Sequence, residues 1–225
     1  MNQGITSNSE YIAAYKLILK DKEATINHSN DIVEVYNFLA DLSENGNHEM
    51  MAKACEDGLW KKESNDTFNI LHLACRNGIF QLVNSLILCG CDKESQTKYG
   101  YTPLIIASCF GKLEIVKYLI SIGADKEAKD KYGYTPLIIA SGNGHLEVVK
   151  YLISIGADKE ARNNDEYTPL NCASIKGHEE IVKYLISVGA NKEAKYYERK
   201  TALTVVKDNV RNYLSSWIKN TLDSI

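Results

Sequence analysis

One pattern constrains this chain more than any other: the sequence copies itself every 33 residues. Residues 131–163 read KYGYTPLIIASGNGHLEVVKYLISIGADKEARN, and the stretch from Lys98 reads KYGYTPLIIASCFGKLEIVKYLISIGADKEAKD. From Asn164 it reads NDEYTPLNCASIKGHEEIVKYLISVGANKEAKY. Thr102, Thr135, Thr168 and Thr201 keep this spacing, as do Gly111, Gly144 and Gly177. A fixed period of this length marks a solenoid, because one unit cannot bury its apolar face alone and must stack on its neighbours.

The residues within a unit say how it folds. Thr135 is a good helix N-cap, and Pro136 at the first helical position gives up an N–H that has no partner there anyway. Leu137 and Ala140 face the stack, and Gly144 supplies the left-handed residue that ends this short helix. Val148, Val149, Leu152 and Ile153 form the apolar face of a second helix that Gly156 terminates. The following ADKEARN must run out and turn back, a hairpin-like excursion with its tip between Asp130 and Tyr134 in the preceding copy. Gly133 allows a positive φ at that tip.

Both ends of the array are degenerate. Leu71, Ala74, Gly78, Leu82, Val83, Leu86, Gly90 and Asp92 keep register in the first unit, with Asn69 and Ile70 in the Thr-Pro positions. The last unit, from Tyr196, keeps Thr201 and Leu203 but has Val210 for the glycine. Asn212, Ser215, Ser216 and Lys219 make one side of its second helix polar, as a terminal cap requires. Ahead of the array, Ser9 can cap a helix with Tyr11, Ala14, Tyr15 and Ile18 on one face. Asp31 and Glu34 precede a second helix with Ile32, Val35, Tyr36, Leu39 and Leu42. A third, opened by Gly46 and Asn47, aligns Met51, Ala54, Cys55 and Gly58 with Leu71, Ala74, Cys75 and Gly78, as half a repeat would. The expected division is therefore 1–62 as a helical capping region and 63–225 as repeats, at about 63–95, 96–128, 129–161, 162–194 and 195–225.

These residues resemble the ankyrin repeat. Thr-Pro-Leu at 102–104, 135–137 and 168–170, Gly-His followed by Glu-(Ile/Val)-Val, and Gly-Ala-Asp or Gly-Ala-Asn are similar to its consensus over about residues 63–222. The N-terminal 60 residues resemble, more loosely, helical segments that precede ankyrin arrays in some protist proteins. The resemblance implies an all-α solenoid of stacked helix pairs with projecting β-hairpin loops, and a function in binding other proteins. This chain departs from the family where Ile105, Ile138 and Asn171 replace a histidine kept only as His72; apolar packing is then expected to hold those turns. Glu94, Glu127, Glu160 and Glu193 replace a usual asparagine, and Glu166 replaces the tip glycine.

No motif of catalysis accompanies the repeats: there is no phosphate loop, GxSxG or HExxH. His145 and His178 recur at the repeat period, but equivalent residues of stacked helices lie roughly 8–10 Å apart. A zinc ion needs its nitrogens about 2 Å away. The six cysteines read as small core residues and reduced thiols, and Cys89 and Cys91 lack a second pair at zinc spacing. The expectation is a non-enzymatic protein with no cofactor and no metal. The first apolar stretch, Tyr11–Leu19, follows Glu10 and contains Lys16, unlike a signal peptide. The charge-free run 77–91 is too short to span a bilayer. The expected location is the cytoplasm, with the nucleus open.

Charge narrows the partner. Up to Ser64 six basic and eleven acidic residues give −5, and the total of −3 leaves the remainder at +2. That balance argues against nucleic acid and leaves a protein partner. The protein is expected to be a monomer, with weak self-association possible between the acidic N-terminal region and basic tips. In the ankyrin family contacts come from hairpin tips and the exposed side of the first helix. The positions here are Lys98, Tyr99, Tyr101, Cys109 and Phe110; then Lys131, Tyr132, Tyr134, Gly142 and Asn143. The fourth unit adds Asn164, Asp165, Tyr167, Ile175 and Lys176, and the fifth Tyr197, Glu198 and Lys200. Tyr101, Tyr134 and Tyr167 either anchor a partner or pack hairpin on hairpin, whereas Tyr99 and Tyr132 are expected to be exposed. Phe110 stands out because its counterpart is Asn143. The expected role is a scaffold or adaptor; the alternative is an inhibitor that occludes the cleft of a partner enzyme.

Overall fold

The computed structural model describes residues 31–61, 68–196 and 200–201. The expected helix from Ser9 and the second half of the fifth repeat, Leu203 onward, lie outside them. The described residues form ten α-helices: α1 Ile32–Glu44, α2 His48–Glu56, α3 Ile70–Asn77, α4 Phe80–Leu88, α5 Pro103–Cys109, α6 Leu113–Ser121, α7 Pro136–Gly142, α8 Leu146–Ser154, α9 Pro169–Lys176 and α10 Glu179–Ser187. The array is an all-α repeat solenoid. It divides into two compact units, one of residues up to 74 with 81–91, the other of residues 75–80 with 92 onward.

In the first unit, Asp31 caps α1 by accepting from the Val33 N–H at 2.8 Å. The buried face of α1 is Val35, Phe38, Leu39 and Leu42. Phe38 takes the place expected of Ile32 and Tyr36, which are half-buried. Asn47 caps α2 through the Met50 N–H, and Gly58 at φ +75° ends it. Met51, Ala54 and Cys55 are as buried as Leu71 and Ala74, so the half-repeat alignment corresponds to the packing. A single 3-10 turn, Leu59–Lys61, follows where a second helix would stand.

In the second unit each first helix starts in the same way. Thr102, Thr135 and Thr168 accept from the N–H three residues on, and proline follows at the first helical position. Each second helix buries one stripe: Ile115, Val116 and Leu119 on α6, Val148, Val149 and Leu152 on α8, Ile181, Val182, Leu185 and Ile186 on α10. Each fully buried aliphatic side chain of this kind is worth about 1.5–3 kcal/mol. The connections between units are tight turns closed by a backbone bond from Thr97 to Tyr101, Asp130 to Tyr134 and Asn163 to Tyr167. Only the last connection extends into a strand ladder among the described residues, with β1 Lys195–Tyr196 pairing antiparallel with β2 Lys200–Thr201.

Candidate functional site

The tips that carry the tyrosines are built on one acceptor each. Thr97 Oγ1 accepts from the N–H groups of Tyr99 (3.3 Å) and Tyr101 (3.1 Å). Asp130 Oδ1 does the same for Tyr132 (2.9 Å) and Tyr134 (2.8 Å), and Asn163 Oδ1 for Asp165 (3.1 Å) and Tyr167 (2.8 Å). Successive tips are then tied together: Lys131 N donates to Tyr99 O at 3.0 Å and Asn164 N to Tyr132 O at 2.9 Å. Lys129 Nζ reaches Arg162 O, and Arg162 Nη1 reaches Lys195 O at 2.8 Å. A row of side chains displayed on such a scaffold has little freedom to lose on binding.

Tyr99 and Tyr132 project from these tips, 37 and 53% exposed, and Phe110 from the end of α5, 41% exposed. Tyr101, Tyr134 and Tyr167 are half-buried, which gives them a packing role alongside any contact. Lys98 sits over the Tyr99 ring with Nζ 4.9 Å from its centroid, and the Arg76 guanidinium lies 5.3 Å from that of Phe110. Lys131 and Lys176 are exposed and Ile175 is half-buried. Asn143 is exposed but its amide is engaged, donating to Cys109 O at 3.1 Å and to Cys109 Sγ. Tyr197, Glu198 and Arg199 lie outside the described residues. Arg76, which stands 34 residues before Phe110, is a neighbour that the sequence alone did not bring to it.

The recurrent histidines have partners. His145 Nε2 donates to Cys109 O at 2.9 Å and His178 Nε2 to Gly142 O at 3.0 Å. Their rings also lie against Gly111 and Gly144, where a side chain would collide with them. Among the described residues no group of three or more His, Cys, Asp or Glu could hold a metal ion. Cys55 meets Cys89 and Cys91 in the first unit. Hydrogen bonding to Cys91 and burial hold the Cys55 thiol far above its usual range, and burial pushes Cys89 up to about 12. Thiols kept protonated in this way are weak nucleophiles at neutral pH.

The glutamates that stand in the family's asparagine position bond from loop to loop, and the apolar reading of the turns is corrected at Asn171. Glu94 Oε1 accepts from Asp125 N at 3.0 Å, Glu127 from Asp158 N at 2.9 Å and Glu160 from Asn191 N at 2.8 Å, so each carboxylate latches one loop to the next. Apolar packing serves at the buried Ile105 and Ile138, but Asn171 supplies polar bonds. It closes a capping box with Thr168 and donates to Ala194 O at 3.4 Å. Glu166 adopts the turn of a glycine, φ +66°. Arg162 Nη1 holds both its carbonyl and its carboxylate, at 3.2 and 3.0 Å.

Asp130, at the tip between the second and third copies, is buried. Burial raises its carboxyl above the ordinary 3.8, against the backbone N–H groups of Tyr134, Tyr132 and Gly133, which act to lower it. The folded state therefore holds this proton more tightly than the unfolded chain. The stability that protonation contributes is present at low pH and is lost as pH rises through the folded value. Asp130→Asn keeps an acceptor, as Asn163 does, but cannot titrate. The melting temperature of the wild type relative to this variant is expected to fall as pH rises above the ordinary carboxylate value. A flat or rising difference would remove Asp130 as a buried titrating group.

Ankyrin repeats, in three copies, are detected over residues 71–163 and 122–196, which together span more than half of the chain. The chain belongs to the ankyrin-repeat family. No curated protein matches it at a significant level. Ankyrin repeats are generally protein–protein interaction modules rather than enzymes, and they imply a protein partner. Among the described residues of this ankyrin protein no helix is long and apolar enough to cross a membrane.

Proposed function

We propose that this ankyrin protein is a non-enzymatic adaptor in the cytoplasm that binds a protein partner along the face formed by its first helices and hairpin tips. The observation that carries the reading is the exposure of Tyr99 and Tyr132 on tips bonded to one another, together with that of Phe110 at the end of α5. Rigid aromatic anchors are the side chains that dominate interface energies. In this reading the helices up to residue 62 close one end of the array, and the monomer is the working form.

The test is Phe110→Ala combined with Tyr132→Ala. Both side chains are partly exposed, so the melt is expected to move little, within about 0.5 kcal/mol per site. Capture of partner from the native cell is expected to drop at least about tenfold, as for loss of interface anchors. Unchanged capture by the double variant would place the binding face elsewhere.

A further inference from the structure

Between α7 and α9 lies a groove of about 370 Å³ whose chemistry is specific to this part of the array. Its walls include Ile138, Ile139 and Ile175, with Tyr134 and Tyr167 at the helix starts and Asn143 and Lys176 at the helix ends. The opening owes much to Gly142. In the flanking copies that position holds Cys109 and Ile175. A Cβ placed on Gly142 would meet only Cys172 Cβ, at 3.5 Å, an ordinary contact. No positive φ requires a glycine there, unlike Gly133 or Gly144. This glycine makes room without being demanded by the backbone.

Charge says what the room suits. The lining carries one ammonium, Lys176, and no carboxylate. On the neighbouring tips Lys98, Lys129, Lys131 and Lys195 are exposed. Asp130 has turned inward to its backbone donors, and Glu166 is bound to Arg162 at 3.0 Å. Asp165 is exposed on those tips, and Glu166, although paired, is exposed as well. Helices of seven and eight residues run about 10–12 Å, the length of three or four extended residues.

We propose that this groove takes an extended acidic segment of a protein, with one bulky aliphatic side chain seated in the notch left by Gly142. The inference rests on the adaptor reading above and deepens it by naming the chemistry of the partner. The aliphatic anchor lies against Ile139, Cys172 and Ile175, and the flanking carboxylates face Lys131 and Lys176. A long-range field of one sign also speeds encounter and makes it sensitive to salt.

The full chain can be titrated into fluorescein-labelled nine-residue peptides: one with a central leucine among glutamates, one with glutamines for the glutamates, one with alanine for the leucine. Labelled oligothymidylate is the fourth probe. The acidic leucine peptide is expected to bind at micromolar concentration, and each of the other two peptides at least about tenfold more weakly. Gly142→Ile, which gives the notch the side chain of the next copy, is expected to remove binding while the melt holds. Gly142→Ala serves as the milder plug, and Lys176→Glu is expected to weaken binding and flatten its salt dependence. Equal binding of the glutamine peptide, indifference to both Gly142 variants, absence of any peptide binding, or tighter binding of oligothymidylate would each overturn the proposal. If all peptides fail but native capture still depends on Phe110 and Tyr132, only the groove assignment falls. If capture survives that double variant while the peptides bind as described, only the broader face assignment does.

Discussion

Gly133→Ala is expected to destabilise the protein by about 3 kcal/mol, against about 1 kcal/mol for Gly156→Ala, although both glycines adopt the same backbone conformation. Their φ angles are +80° and +77°. An L-residue forced into this region costs roughly 1–2 kcal/mol, so that much is common to both variants. At Gly156 nothing lies within 4 Å of an added Cβ, and the conformational cost stands alone. At Gly133 the Cβ would lie 2.5 Å from Asn164 Oδ1, 2.8 Å from Asn164 N and 3.1 Å from Asn163 C.

A side-chain oxygen can rotate away; a peptide nitrogen cannot. Asn164 N donates to Tyr132 O at 2.9 Å, and its amide donates to Lys131 O at 3.1 Å. Moving the backbone to admit a methyl group breaks the bond that joins two tips, at a further cost of about 1–2 kcal/mol. Denaturant midpoints of the two variants measure the difference directly. Equal midpoints would mean that successive tips slide past one another freely, and the rigid row on which Tyr99 and Tyr132 stand would lose its basis.

The fold could be read from the chain because its determinants recur within each copy. Thr135, Pro136, Gly144 and Gly156 each act on their own helix, so caps, breaks and core stripes all follow from local chemistry. Residues that act across copies were harder to read. Glu127 stands in the family's asparagine position, and only the fold brings Asp158 N, 31 residues on, to 2.9 Å from its carboxylate. Asp130 has the sequence neighbourhood of a surface acid, and only the folded turn shows two N–H groups aimed at it. Gly142 was recognisable as a contact position, but the space beside it depends on Cys172 and Ile175 of the next copy. Glu166 shows the converse. A glycine is absent, yet the turn persists because Asn163 and Arg162 fix it from either side.

Replacing Ser108, Ser141 and Ser174 together with alanine is expected to stabilise the protein by about 3 kcal/mol, roughly 1 kcal/mol per site. The three occupy one position of successive first helices and are fully buried. Among the described residues their hydroxyls have no hydrogen-bond partner. A buried serine in a helix usually bonds a carbonyl one turn back. Without that bond, each hydroxyl carries a desolvation cost of about 1–3 kcal/mol that alanine does not. Alanine also gains a few tenths of a kcal/mol in helix propensity. Small voids left by the removed oxygens work against the gain, which places the estimate at the lower end of that range. Equivalent positions on stacked helices lie about 8–10 Å apart, far enough for the three effects to add. For a chain of this size 3 kcal/mol corresponds to a rise in Tm of about 6–12 °C. Single variants that each destabilise, or a triple variant no more stable than the wild type, would show that these hydroxyls do donate to a helix carbonyl, and that the row of serines holds the helices in register.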